Sequence, residues 1–190
     1  MILKPGAKPR PFTATEEFAV DRVAFDWRAR FPMLGPISMR VVDSYDGTDG
    51  RLEVRLLGIP VQRKSGQELA QGEAFRYLAE LAWAPQAILA NPELVWREVD
   101  EQTVEVATRV QHEQIAVRLL FNEAGEITQT IAERPRLEAG NAITTWIGEF
   151  ADYQQLEGVR VPTRGEVSWQ LPDGPFVYWR GRITSLDLDP

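Results

Sequence analysis

Read as part of a helix, residues 67–83 carry Glu73, Arg76, Tyr77, Glu80 and Trp83 along one side, at spacings of one, three and four. Glu73 lies three before Arg76 and Glu80 four after it, so both carboxylates can reach the same guanidinium. On a solvated face this trio is a surface ladder worth roughly a few tenths of a kcal/mol. Turned into a hollow, the same trio becomes a fixed polar cluster that can orient a ligand's head group. Other groups offer less. Asp43, Glu73, Glu80, Glu149 and Glu166 could pair for acid–base hydrolysis, but no spacing singles out two of them. Arg134 and Arg136, with Arg160 and Arg164, could hold an anion. Without a glycine-rich loop or helix N-terminus beside them, they read as surface or cross-strand ion pairs.

The chain of 190 residues has no cysteine and one histidine. Thiol nucleophiles, disulfides, cysteine-ligated metals and multi-histidine sites are excluded. His112, between Gln111 and Glu113 at a strand junction, reads as an exposed turn residue, so no catalytic residue, metal site or cofactor is assigned. No phosphate loop, dinucleotide fingerprint or nucleophile elbow is present. The net charge of −7, with basic residues read as spread along the chain, argues against nucleic acid and against simple attraction to an anionic membrane. Six tryptophans at 27, 83, 96, 146, 169 and 179 can either fill the inside of a curved sheet or line a cavity for an apolar ligand.

The elements that must position these groups are mostly strands. Period-two alternation runs through residues 12–20, 23–31, 37–41 and 52–56, with a turn at 46–50, and strands return over 94–99, 103–110, 114–121, 126–133, 144–151, 159–169 and 176–186, with turns at 122–125 and 172–175. Residues 67–91 break the pattern with helix formers. Pro85 should end one helix near Trp83 and open a second, giving helices over 67–83 and 85–90. Strands this consecutive, with short turns, favour an antiparallel arrangement. The expected fold is α+β with β dominant: one curved antiparallel sheet, a half-open barrel, with one or two helices covering its concave face. Residues 1–190 form one domain in this reading, with 1–10 an extended arm. No apolar run approaches the ~20 residues of a membrane span and no signal-peptide core is evident. As written the chain reads as cytoplasmic, with the cell envelope as the alternative if its N-terminus is truncated.

The string Arg76-Tyr77-Leu78-Ala79-Glu80-Leu81-Ala82-Trp83-Ala84-Pro85 resembles the signature helix of a bacterial domain-of-unknown-function family. The segments around Asp43-Ser44-Tyr45, Arg160-Val161-Pro162, Gly165-Glu166 and Tyr178-Trp179-Arg180-Gly181 fit the same family. The resemblance implies a fold similar to the half-barrel of the outer-membrane lipoprotein carriers, which hold acyl chains under a helical lid. It implies no activity. The leading expectation is a non-enzymatic binder of a small apolar or amphipathic molecule. Its site would comprise Trp27, Met39, Glu73, Arg76, Tyr77, Glu80, Trp83, Trp169 and Trp179, with Arg76 and Glu80 setting the polar end. The alternatives are an enzyme using Glu and Arg chemistry in the same hollow, and a protein-interaction module. Oligomeric state is not legible.

Overall fold

A computed structural model describes residues 1–2 and 5–188. The described strands lie in two antiparallel sheets. The first contains β1 (Thr13–Phe18), β2 (Phe25–Pro32), β3 (Ser38–Tyr45), β4 (Gly50–Leu56) and β5 (Ile59–Ser65), in that spatial order. The second contains β6 (Val95–Asp100), β7 (Thr103–Val110), β8 (Glu113–Phe121), β9 (Ile127–Arg136), β10 (Ala142–Leu156), β11 (Val159–Leu171) and β12 (Gly174–Arg182), again with sequence neighbours as spatial neighbours. Between the sheets in the chain come α1 (Gln67–Ala79), a 3₁₀ turn (Glu80–Trp83) and α2 (Pro85–Ala90). Pro85 opens α2 at its first turn, as its fixed φ and missing N–H favour.

The β-dominant antiparallel fold and the helical cover match the expectation. The sheet, expected to be single, is two. The helical segment takes up the chain between β5 and β6, so hydrogen bonding cannot continue there, and a twisted sheet of twelve strands would be prone to split. The halves approach each other at β1 and β12. The Phe12 ring lies 6.2 Å from that of Trp179, and the Ile2 N–H donates to the Tyr178 carbonyl at 2.6 Å. No hydrogen-bonded strand pair joins the sheets among the described residues, so no barrel closes.

Alternation explains β2. Phe25, Trp27, Ala29 and Phe31 are buried, while Arg28 and Arg30 point outward. The buried rings, α1, and Val106, Val117, Trp146 and Phe150 of the second sheet share one core. The second half of α1 is buried nearly all round, as a helix between sheets must be. Its approach to β4 depends on a glycine. A Cβ at Gly50 would sit 2.7 Å from the Ala70 backbone nitrogen and 2.9 Å from the Leu69 carbonyl carbon. A second such pair, Gly165 and Gly181, faces across β11 and β12 and gives the Trp83 and Trp179 indoles a flat seat.

β5 carries no alternation and is exposed at every residue, so period-two reasoning passes over it; a two-residue turn at Leu57 and Gly58 (φ 51° and 81°) folds it back on β4. At the N-terminus, where the sequence suggests an extended arm over 1–10, Met1 and Arg10 exchange backbone hydrogen bonds of 3.0 and 2.8 Å; Leu3 and Lys4 lie outside the described residues.

Candidate functional site

Arg76 is the centre of a buried polar cluster. Its Nε donates to Glu80 Oε1 at 2.9 Å, its Nη1 to Asp43 Oδ2 at 3.0 Å and its Nη2 to Glu16 Oε1 at 2.8 Å. Only 18% of the Arg76 side chain is exposed. The guanidinium lies 4.6 Å from the Phe25 ring centre and 5.2 Å from that of Trp27, where aromatic faces replace lost water. The solvated-ladder reading of this stripe is therefore overturned, because α1 is enclosed between the sheets. β3 supplies Asp43 and β1 supplies Glu16 from their core-facing sides.

Four carboxyls surround this one cation, since Glu73, the most buried of them, also lies beside Asp43 and Arg76. Burial, reinforced by the neighbouring carboxylates, pushes Glu16 and Glu73 well above the usual carboxylate range. Two buried acceptors, Asp43 Oδ1 and Glu80 Oε2, have no donor from an ordinary hydrogen-bond partner. A proton on Glu73 serves Asp43 and a proton on Glu16 serves Glu80, which closes the hydrogen-bond accounting.

This arrangement has a pH signature. A carboxyl raised in the folded state holds a proton that the unfolded chain releases. Its stabilising contribution is full below the unfolded pKa and is lost as pH rises through the folded one. Glu53 works in the opposite sense. Arg51 and Arg55 hold it down to about 2, so its contribution is present above 4.5 and is lost as pH falls toward 2. The urea midpoint should therefore decline from about pH 5 through neutral pH. Glu73→Gln should flatten that decline, and an equal slope in wild type and variant would contradict the shared-proton assignment.

The other expected site residues are divided among different tasks. Tyr77 is fully buried, donates to the Ala19 carbonyl at 2.8 Å, accepts from Asn91 Nδ2 at 2.9 Å and stacks on Phe18 at 4.2 Å. It pins α1 to the β1–β2 turn and does not join the Arg76 cluster. Trp83 donates to the Pro162 carbonyl at 3.0 Å and packs against Phe150 and Trp179. Trp27 and Trp179 both pack on Phe12, and Met39 packs against the same core. These rings occupy the space beneath the helix that the sequence reading left as a hollow. His112 is exposed at the turn between β7 and β8.

Arg134, at the far end of the same layer, breaks the expectation of cross-strand pairing. Its guanidinium lies 5.3 Å from Phe75, 5.2 Å from Trp146 and 5.7 Å from Trp169, measured to ring centres. Its Nε is buried with no hydrogen-bond partner, as is that of Arg136. Burial pulls Arg134 below its ordinary value, against the attraction of Tyr178, Glu73 and Asp43. It also borders a pocket of about 140 Å³, shared with Glu68, Gln71, Gly72, Phe75 and Asn141. Periodicity gave no sign of this, because Arg134 becomes special only through the rings that the fold brings around it. Among the described residues no group of three or more His, Cys, Asp or Glu side chains is arranged to hold a metal ion.

No curated protein and no solved structure matches the chain. The family expectation is met: a family model matches residues 1–181, and the chain belongs to that Family of unknown function (DUF6544).

Proposed function

We propose that the protein is a non-enzymatic binder of a small amphipathic molecule with an anionic head, and that Arg134 receives the head. The observation that carries this reading is a half-buried guanidinium, its Nε buried and unpartnered, at the edge of a pocket of about 140 Å³. That volume is close to the ~150 Å³ of an engineered apolar cavity that binds benzene, and too small for a whole lipid. It suits a carboxylate or phosphate head, with any longer tail lying outside. Arg76 directs its donors to Glu16, Asp43 and Glu80, which leaves Arg134 as the better head-group partner. An enzyme built on the buried carboxyls would need its substrate to reach Glu73, and Glu73 does not line this pocket.

The test is titration with decanoate and decyl phosphate, with decanol as the uncharged control, followed by the fluorescence of the tryptophans around Arg134. Wild type should prefer the anions. Arg134→Met should weaken their binding by about tenfold to a hundredfold, the value of a charge-assisted contact. The ligand-free variant should melt higher by the equivalent of about 1–3 kcal/mol, because a buried unsatisfied donor is removed. Equal affinity of the wild type for decanoate and decanol would refute the reading.

A further inference from the structure

The basic residues are not spread in space. Eleven of the 21 lysines and arginines precede Gln67, but only eight of the 28 acids do. The first sheet is thus positive within an acidic chain. Arg28, Arg30, Arg40, Arg51, Arg55 and Arg63 stand on its face away from the core, by register with one another. Glu53 lies among them with 1% of its side chain exposed, held by Arg51, Arg55 and Arg63.

One row of this face is unfavourable by itself. Arg30 faces Arg40, and Arg40 faces Arg55, across three neighbouring strands. Like charges directly opposite destabilise a sheet. Arg28 has Asp26 and Arg55 has Glu53, whereas Arg30 and Arg40 have no ion-pair partner among the described residues. Next to this row, at the same end of the sheet, stand two hairpin tips. Met39 pairs with Phe31 on one side and Leu56 on the other, which places the β2–β3 tip beside the β4–β5 tip. The tips expose Met33 (51%), Leu34 (85%), Leu57 (67%) and Ile59 (66%). Residues 30–42 and 52–63 contain no acid except the buried Glu53.

We propose that this end of the first sheet docks on an anionic phospholipid surface, with the aliphatic tips entering the acyl boundary and Arg30 and Arg40 taking lipid phosphates. The occupant must be anionic and apolar side by side. A bilayer surface meets both demands: guanidinium forks match phosphate oxygens, and aliphatic side chains gain by leaving water at the head-group level. Nucleic acid meets only the first, because the tips carry no aromatic ring for a base to stack on. The face is an open trough of about 570 Å³, which leaves room for head groups above the arginine row.

Co-sedimentation with vesicles of phosphatidylcholine, with and without phosphatidylglycerol, tests the proposal. Wild type should pellet with the anionic vesicles and be released by salt. Arg30→Glu combined with Arg40→Glu should bind at least about 30-fold more weakly, from about fivefold per arginine at a membrane surface. Leu34→Ser with Leu57→Ser should lose about tenfold and keep the salt sensitivity. Arg97→Glu, on the second sheet, and Arg134→Met should bind as wild type does, so failure of the small-ligand reading leaves this result standing. All these side chains except Arg134 are exposed, and circular dichroism checks that each variant folds. Wild-type binding that is absent, or unchanged in the arginine pair variant, overturns the proposal. So does capture of duplex DNA or an acidic protein by the same face without vesicle binding.

Discussion

Arg76→Met should destabilise the protein by about 3–5 kcal/mol at pH 8, a fall in melting temperature of roughly 6–20 °C for a chain of this size. The variant keeps the volume and the contacts with Phe25 and Trp27. It removes the cation that Glu16, Asp43 and Glu80 share. The carboxyls around it would then have nothing to neutralise them. Without Arg76 the attraction that offsets the burial of Glu16 and Glu73 is gone and their carboxyls are pushed up further, so the stability deficit grows with rising pH and narrows toward pH 5. Urea midpoints at several pH values measure this. A deficit independent of pH would assign the loss to packing instead. Arg76→Lys should recover only part of the loss, because an ammonium is a point charge and cannot present three donors along a planar fork to Glu80, Asp43 and Glu16 at once.

Gly50→Ala should cost about 3 kcal/mol, the upper end of overpacking effects, with a fall in melting temperature of roughly 6–12 °C. The added methyl would meet Ala70 nitrogen at 2.7 Å and Ala70 Cα at 2.9 Å, and backbone atoms cannot rotate aside. Helix α1 would have to move off β4. That movement would pull Arg76 away from Asp43 on the neighbouring strand β3, so the variant should also lose part of the pH dependence described above. A melting temperature within a degree or two of wild type would mean that the helix is held less tightly than its distance from the sheet implies.

The sequence reading reached the elements more surely than their partnerships. β2 was legible because Phe25, Trp27, Ala29 and Phe31 alternate with charges over eight residues. The helix break was legible because Pro85 permits little else. β5 was not, since a strand exposed on both faces has no period, and Pro60 argues against a strand. The stripe Glu73, Arg76, Glu80 was found by spacing, but two of the carboxylates on Arg76 come from 33 and 60 residues away. Such pairings depend on strand register and on how the first sheet bends around α1, which no local pattern encodes. The sequence offers Arg134 as a possible anion site but favours an ion pair, because its isolation is a property of Phe75, Trp146 and Trp169 around it.

The strictly sequential strand order has a consequence for how the chain reaches this state. Every hydrogen-bonded strand pair joins sequence neighbours, so each ladder can grow from a hairpin whose loop closure costs little entropy. For an all-antiparallel protein this keeps contact order low and favours fast formation of both sheets. The long-range step is different in kind. Glu16 and Asp43 reach Arg76, and Arg134 reaches Phe75, only when the two meanders fold onto α1, and at that moment the carboxyls around Arg76 must give up part of their water together. Docking should run faster in mildly acid solution, because burial raises the proton affinity of Glu16 and Glu73.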